Sequence, residues 1–469
     1  MTSHDLLKTD VLVIGCGIAG GVAALELAEV GVHVTVVTLS PRPEETNTLY
    51  AQGGIVYQGD DDSPELLVED ILRAGAGFSN RSAVEILARE GPALVRSLLL
   101  EKIGVPFDRT ANDEFSLVRE GGHSLHRILH AADATGSAIE RRLLSALSRF
   151  KNVTILTGHT AVDLLTPAHH AIDRQSIYAP PSCVGAYILN QGTEQVVRCL
   201  AKATILATGG LGQIFLRSTN PLGSRGDGLA MAYRAGARVI NCEFIQFHPT
   251  AFYKQHAPFF LISEAVRGAG ARLVDERGEP FMQRYDAEWK DLAPRDVVSR
   301  SIHHEMLARN LPNVYLDIAS HLPAAKIREM FPSIHEQCLR HGVDMSREPI
   351  PVVPAAHYFC GGVWVDEYGR TTVENLFAVG EVSCTGIHGA NRLASTSLLE
   401  GLVWGHRAAR HLHGELRSLD LHDPHDIPSW VETGTEEPDA ALIHQDISAI
   451  QYVMWNYVGL VRTDRRLQR

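Results

Sequence analysis

Four side chains that can carry positive charge or donate hydrogen bonds stand in glycine-bounded loops of the middle and last third of the chain. They are His248, Arg295, His357 and Arg392. A guanidinium binds a carboxylate through two parallel N–H donors, and an imidazole adds a further donor. This set would suit an anionic substrate with two carboxylates. An arginine held between charges can also transfer protons, although its high intrinsic pKa makes that unusual.

Other polar segments add possible ligands. Residues 120–130 contain Glu120 and three histidines, which are metal ligands by type, and a helix is expected to begin near Ala131. The chain has 23 histidines, however, and no acid or cysteine stands here at zinc-ligand spacing, so we expect no metal. Gln246 and His248 are predicted to lie on one side of an extended chain that then turns. The sequence has no GxSxG, HExxH or P-loop motif, so hydrolase and kinase functions find no support.

The elements that must position these groups begin with a βαβ unit. An apolar strand ends at Gly15, a helix follows, and a second apolar strand spans residues 32–39 after Gly31 has stopped the helix. Gly15, Gly17 and Gly20 have GxGxxG spacing, which predicts a dinucleotide site at the helix N-terminus. The alternative is a glycine-rich turn of an ordinary parallel sheet. Thr38 and Leu39 stand where the acid of NAD-binding proteins is usual, which favours FAD.

Three later segments repeat the strand-and-glycine pattern. Residues 47–54 end in paired glycines, residues 203–210 form an apolar strand before Gly-Gly, and residues 377–382 place Glu381 just past a strand. Glu381 could accept the ribose hydroxyls. Because the segments are far apart in sequence, we expect a discontinuous dinucleotide domain.

The composition excludes other classes. With 43 basic and 55 acidic residues the formal net charge is −12, which disfavours nucleic-acid binding. The seven cysteines include no CxxC pair, so no disulfide framework is indicated. No apolar run reaches the ~18 residues of a membrane span, and no secretion signal is evident, so we expect a cytoplasmic protein.

From about residue 10 to residue 464 the chain resembles the flavoproteins of the succinate dehydrogenase and fumarate reductase family, and within it the L-aspartate oxidase branch. The most specific segments are Ala-Gln-Gly-Gly-Ile (51–55), Arg-Glu-Gly-Gly-His-Ser (119–124), Gln-Phe-His-Pro-Thr-Ala (246–251), Pro-Arg-Asp (294–296) and His-Gly-Ala-Asn-Arg (388–392). The covalently flavinylated members carry a histidine where this chain has Asn47. The resemblance therefore implies FAD that is bound non-covalently.

The resemblance also implies roles for matching residues. Arg295 matches the proton donor or acceptor, and Glu120 the acid that orients the substrate through its ammonium group. The implied catalytic set is Arg295, Glu120, His248, His357 and Arg392, and the implied substrate-binding set is Gln246, Ser263, His248, His357 and Arg392. The implied FAD contacts are Gly15, Gly17, Ile18, Ala19, Gly20, Thr38, Asn47, Thr48, Leu49, Tyr50, Ala51, Gln52, Gly53, Gly54, Asp227, Glu381, Ser397 and Leu398.

The expected fold is α/β, with a Rossmann-like FAD-binding domain of residues 1–241 and 354–415. An inserted α+β capping domain of residues 242–353 would close over the flavin, followed by a linker of residues 416–439. Residues 440–469 are expected to form a short, truncated helical segment whose apolar stripe docks on the flavin domain or makes an intermolecular contact. Ile450, Val453, Met454, Tyr457, Leu460 and Val461 form that stripe.

The expected reaction is oxidation of L-aspartate to iminoaspartate, with hydride transfer from substrate C2 to flavin N5. Oxygen, which would give hydrogen peroxide, or fumarate would accept the electrons. In the family this step opens NAD biosynthesis, and quinolinate synthase consumes the imine. Two rival functions stay open: a soluble fumarate reductase or dehydrogenase flavoprotein subunit, and a catalytically silent flavin-binding protein.

Overall fold

The first fifty residues form the βαβ unit that their spacing predicts. The structure is a computed structural model that describes residues 5–434 and 438–469. Strand β1 (Leu6–Ile14) leads into helix α1 (Ile18–Glu29) and strand β2 (Val34–Thr38). β1 and β2 are parallel. The helix ends before Gly31, whose φ of +84° is left-handed backbone that favours glycine.

The remaining strands and helices follow in mixed order along the described chain. The strands are β3 (Ile55–Val56), β4 (Leu117–Val118), β5 (Ile128–Leu129), β6 (Val153–Thr157), β7 (His159–Leu165), β8 (Gly185–Asn190), β9 (Gln195–Leu206), β10 (Val239–Ile240), β11 (Ile245–Phe252), β12 (Arg272–Val274), β13 (Val314–Asp317), β14 (Ile350–Phe359), β15 (Gly362–Trp364), β16 (Leu376–Ala378) and β17 (Ser383–Cys384). The helices are α2 (Pro64–Ala74), α3 (Arg81–Leu94), α4 (Thr135–Leu147), α5 (Pro167–His170), α6 (Asp227–Arg234), α7 (Glu264–Gly268), α8 (Arg295–Ala308), α9 (Ala324–Met330), α10 (Pro332–Arg340), α11 (Ser397–Glu415), α12 (Ala440–Tyr457) and α13 (Asp464–Leu467).

The largest sheet has seven strands and brings the glycine segments together. Its order is β6-β2-β1-β9-β8-β7, and β16 also pairs with β9. β6, β2, β1, β9 and β16 are mutually parallel where they pair, so the carboxyl ends of β1, β9 and β16 meet at one edge. A ligand site is expected at that edge of an open α/β sheet. The predicted strands before Gly209 and before Glu381 are confirmed, and the doubly wound, discontinuous α/β fold with them.

A second sheet carries the inserted region. Its four strands have the order β11-β14-β13-β12 and pair antiparallel. Buried residues between 252 and 353 pack into a hydrophobic core of their own, separate from the core formed by residues 11–237 and 363–416. The domain boundaries that we predicted from the sequence stay predictions, although β14 runs across the one at residues 353 and 354.

Two local expectations need correction. The turn predicted after His248 does not form, because β11 continues to Phe252. Pro249 has no N–H to pair, and the β11–β14 register shifts between His248 and Ala251, so the strand accommodates proline at an irregularity. The helix expected near Ala131 begins only at Thr135, whose hydroxyl accepts a hydrogen bond from Ala131 N.

The end of the chain packs against the protein through part of the predicted stripe only. Met454 and Leu460 contact a cluster that contains Phe215 and Phe247. Ile450 and Val453 of the same stripe are 53% and 48% exposed. In the predicted linker, Ile427 is buried against the β8–β9 hairpin, so this segment is packed over part of its length.

Within residues 5–434 and 438–469, no helix combines the length and the apolar character that crossing a membrane requires.

Candidate active site

A cleft of about 610 Å³ runs along the carboxyl edge of the large sheet and ends beside β11 and β14. Its volume lies in the range of cofactor and ligand pockets in proteins. Glycines and small residues of the βαβ unit and of residues 47–54 line one end, which we call the nucleotide end. Histidines, arginines and carboxylates line the other, which we call the charged end.

The nucleotide end is formed by close contacts of main chain with main chain. Gly15 has a φ of +113°, and a Cβ atom there would lie 2.0 Å from the carbonyl oxygen of Ala207. Thr48 Oγ1 accepts a hydrogen bond of 2.9 Å from Ile18 N, which ties residues 46–54 to the N-terminus of α1. A helix N-terminus favours a phosphate through its amides and dipole. This glycine-lined cradle at a helix N-terminus fits the pyrophosphate of FAD.

Asn47 and Glu381 form a polar pair inside the same wall. Asn47 Nδ2 donates to Glu381 Oε2 at 2.7 Å, and Phe359 N donates to Glu381 Oε1 at 3.0 Å. Burial raises the pKa of Glu381 to about 7. Both carboxylate oxygens thus already have protein partners, but each retains a lone pair that a cofactor hydroxyl could use.

Most of the predicted FAD contacts lie on the cleft wall, and two do not. Gly20 lies behind the wall, where a Cβ atom would be 2.2 Å from Gly15 O, so its role is close packing of α1 on the loop. Leu49 is also outside the lining, and its amide donates to Thr46 Oγ1.

The charged end draws its side chains from four distant segments. His248 comes from β11, His357 from β14, Arg295 from the start of α8, and Arg392 from the loop before α11. The two imidazole rings are 5.1 Å apart between centroids. The sequence prediction that these four residues share one site agrees with this placement.

The two histidines are neutral hydrogen-bonding groups at neutral pH. Burial, together with Arg295 and Arg392, lowers the pKa of His248 and His357 well below the ordinary value. His248 Nδ1 accepts a hydrogen bond from Thr250 N at 3.2 Å, so its ring proton lies on Nε2. His357 Nδ1 is 2.8 Å from Thr219 Oγ1, a partner that the sequence did not reveal.

Glu264 is a site residue to which sequence reasoning assigned no role. Its Oε2 accepts from Arg295 Nε at 2.8 Å, and its Oε1 accepts from Gly121 N at 2.9 Å. Burial alone would raise the pKa of Glu264, but Arg295 and Arg267 lower it to about 2. The only signal in the sequence was its place beside Ser263, which also lines the cleft.

Glu120 supplies a second carboxylate, between the two ends of the cleft. Its Oε2 accepts from Ser395 Oγ at 2.6 Å, and its Oε1 accepts from Gly54 N at 3.4 Å. Burial, with a contribution from Glu264, raises the pKa of Glu120. A carboxylate in this position can balance a cationic group on a ligand held by the arginines.

Gln246 is placed one layer behind the charged end. Its Oε1 accepts from Arg295 Nη1 at 3.2 Å, and its Nε2 donates to Arg392 O at 2.7 Å. It is absent from the described lining of the cleft. Gln246 therefore positions both arginines, and the structure does not place it as a direct ligand.

The histidines of residues 120–130 lie apart from this chemistry. His123 Nε2 is 2.9 Å from Ala394 O, and burial lowers its pKa to about 4. Among residues 5–434 and 438–469, no group of three or more His, Cys, Asp or Glu side chains is arranged to hold a metal ion.

Comparisons with known proteins agree with this geometry. Residues 10–398 match the family model described as FAD binding domain. An L-aspartate oxidase from Ralstonia nicotianae is 47% identical, over 99% of this chain and 85% of that protein. An L-aspartate oxidase from Pseudomonas aeruginosa is 44% identical, over 100% of this chain and 86% of that protein.

Solved structures give the same fold. The FrdA subunit of E. coli quinol fumarate reductase superposes with a TM-score of 0.88 at 28% identity, covering 99% of this chain and 81% of that chain. Mycobacterium smegmatis Sdh1 superposes with a TM-score of 0.81 at 33% identity, covering 99% and 79%.

The fold and the cleft thus define an FAD-binding oxidoreductase of the kind found in fumarate reductase and succinate dehydrogenase. Within that class, the chain belongs to the L-aspartate oxidase family.

Proposed function

We propose that the protein oxidises L-aspartate to iminoaspartate with FAD, the step that begins NAD biosynthesis. The observation that carries this proposal is the composition of the charged end, where the buried Arg392, the largely buried Arg295 and two neutral histidines surround a space bordered by the Glu120 carboxylate. Two carboxylates and one ammonium group on a four-carbon substrate match that arrangement. Family membership at 47% identity supports the same activity.

Arg295 and Arg392 would bind the two carboxylates of the substrate in bidentate geometry, assisted by His248 and His357. Ser263 would add a hydroxyl, since it also lines the cleft. Holding both ends of a short dicarboxylate fixes the position of C2 between them. FAD, when bound, supplies the hydride acceptor at flavin N5.

Glu120 would orient the substrate amine and stabilise the charge that develops on it. Once the ammonium group has lost one proton, loss of hydride from C2 of the neutral amine leaves positive charge on the nitrogen, and a carboxylate in a buried site favours that charge. Arg295 is placed to hold or move a proton at its guanidinium, since it contacts the ionised Glu264 on one side and the cleft on the other.

We propose that FAD is held non-covalently by the FAD contacts predicted from the sequence. Asn47 lines the cleft where a histidine would be needed for a covalent flavin link, and its amide is hydrogen-bonded to Glu381 and Ser224. Denaturing the holoprotein in acid should release all yellow colour into the supernatant as intact FAD. Flavin that remained on the precipitated chain would contradict this.

Oxygen, giving hydrogen peroxide, and fumarate are the proposed electron acceptors, and quinolinate synthase is the proposed consumer of the imine. The test of the activity is a steady-state assay that follows peroxide and, after hydrolysis of the imine, ammonia and oxaloacetate in parallel. Equal amounts of the three products from L-aspartate, and none from D-aspartate, are expected. Turnover of succinate with a dye acceptor and none of L-aspartate would place the protein with the dehydrogenases instead.

A further inference from the structure

The two arginines of the charged end are neutralised in different ways. Arg295 forms a direct ion pair with Glu264, with 2.8 Å between Nε and Oε2. Arg392 is 5% exposed, and within the described part of the chain it has no carboxylate at ion-pair distance. Its guanidinium lies 4.5 Å from the centroid of the Tyr358 ring, and Nη1 donates to Ser397 Oγ at 3.0 Å. A buried guanidinium needs a counter-charge, and here an aromatic face lies against it where an ion-pair carboxylate would be expected.

Behind that ring lies a buried carboxylate. Glu400, on the first turn of α11, is 1% exposed, and its Oε2 accepts a hydrogen bond of 2.8 Å from the Tyr358 hydroxyl. The same carboxylate accepts from Thr385 Oγ1 at 2.6 Å and lies 2.8 Å from His388 Nε2. Three donors therefore surround a group that has no contact with the cleft, since Glu400 is absent from its lining.

The cluster keeps the negative charge of the carboxylate. Burial alone would raise the pKa of Glu400, but His388, Thr385 and Tyr358 bring it below the ordinary value. His388 Nδ1 is buried without a partner among the described residues. His388 Nε2 thus shares the Glu400 carboxylate with Thr385 and Tyr358, and Tyr358 is the member of the cluster that reaches Arg392.

A phenol that donates its proton to a carboxylate becomes more electron-rich over its ring face, which strengthens attraction for a cation on that face. We propose that Glu400 is a positioning residue that supplies the counter-charge of Arg392 through the Tyr358 ring. A direct ion pair would occupy part of the guanidinium, as Glu264 occupies Nε of Arg295. The indirect arrangement stabilises the arginine and leaves those N–H groups available to a substrate carboxylate.

This inference rests on the proposed function, because it assigns to Arg392 the binding of a dicarboxylate. The test compares Glu400→Gln, which keeps the shape and removes the charge, with Tyr358→Phe, which keeps the ring and removes the hydroxyl link, and with the double variant. Thr385→Val is the matched control, since it breaks a hydrogen bond of the same cluster but retains both the charge and the phenol. All are measured as holoproteins.

The readouts are the Kd of succinate from the perturbed flavin spectrum, and the KM and limiting rate of flavin reduction by L-aspartate. Each single variant is expected to raise Kd and KM about fivefold, which corresponds to about 1 kcal/mol, with a limiting rate within about twofold of the parent. The double variant should bind succinate no more weakly than the single variant with the higher Kd, because both substitutions break the same link between Glu400 and Arg392. Thr385→Val should lower the unfolding midpoint and leave Kd within about twofold.

Unchanged Kd in both single variants, or multiplicative effects in the double variant, would overturn the inference. A rise in Kd for Thr385→Val equal to that for Glu400→Gln would also overturn it, because it would indicate general disruption of the cluster. If Glu400→Gln does not retain FAD, the test rests on the comparison of Tyr358→Phe with the control Thr385→Val. A parent protein that binds no succinate and is not reduced by L-aspartate would overturn the proposed function and this inference together. A parent that L-aspartate reduces, with variants whose Kd and KM equal those of the parent, would overturn the inference only.

Discussion

The two ends of the cleft differ in the kind of contact that forms them. At the nucleotide end, the wall is formed mainly by main-chain atoms and glycines. Gly15 of the βαβ unit, for example, lies close against the main chain of Ala207. At the charged end, side chains meet from β11, α7, α8, β14 and the loop before α11. Glu264 pairs with Arg295, and Arg392 lies against the Tyr358 ring. The nucleotide end depends on glycines that leave no room for a Cβ atom, and the charged end depends on the balance between positive and negative side chains. Substitutions should therefore damage the two ends in separable ways.

The largest effect is expected from adding a single carbon at the nucleotide end. Gly15→Ala would place Cβ 2.0 Å from Ala207 O at a φ of +113°, so the loop must move away from its position against β9. We expect FAD binding to weaken by at least about 10⁴-fold, or about 5.5 kcal/mol, in a titration followed by flavin fluorescence. Gly31→Ala is the control, because Gly31 also has positive φ, +84°, but nothing lies within 4 Å of its Cβ position. Equal FAD affinity in the two variants would contradict the account of this end.

The next largest effect is expected at the charged end, with the cofactor retained. Arg295→Lys removes the guanidinium that contacts both Glu264 and Gln246, and lysine cannot reproduce that fork. We expect kcat/KM for L-aspartate to fall by about 10³-fold, with an unchanged visible flavin spectrum. Arg300→Lys is the control on the same helix, since Arg300 is exposed and pairs with Asp296. Loss of flavin from Arg295→Lys but not from Arg300→Lys would show that substitutions at the charged end also damage the nucleotide end.

The same contrast explains how far the sequence predicts the molecule. The nucleotide end follows from glycine spacing between a strand and a helix, which is local information, and its expected elements are present. His248, Arg295, His357 and Arg392 were predicted as one set through chemical type and family resemblance. The sequence alone could not place Gln246 behind the wall or reveal the pairing of Glu264 with Arg295. Those contacts depend on the irregular course of β11 past Pro249 and on the tertiary placement of the first residues of α7 and α8, which carry Glu264 and Arg295.

A smaller effect, of opposite sign for two ligands, is expected at Glu120. Glu120→Gln removes a carboxylate that would attract the ammonium group of L-aspartate and repel a plain dicarboxylate. We expect L-aspartate to bind about tenfold more weakly and succinate somewhat more tightly, by spectral titration under anaerobic conditions. A parallel loss for both ligands would mean that Glu120 supports the site only structurally.

The smallest effect is expected from pH. Because burial raises the pKa of Glu120, its carboxylate is present above that raised pKa and is lost as pH falls through it. Lowering pH should therefore raise the KM of L-aspartate and lower the Kd of succinate, and both trends should vanish in Glu120→Gln. His248 and His357 should add no inflection near pH 6.5, since their pKa values lie well below the ordinary value. An inflection that persists in Glu120→Gln would assign the titration to another group.

The most direct test of the central claim is the absorbance of the bound flavin near 450 nm, followed anaerobically as L-aspartate or succinate is added. The account predicts bleaching by L-aspartate and recovery of the colour in air with formation of peroxide, while succinate perturbs the spectrum and bleaches it far less. Bleaching by succinate alone, or no response to either ligand, would contradict it.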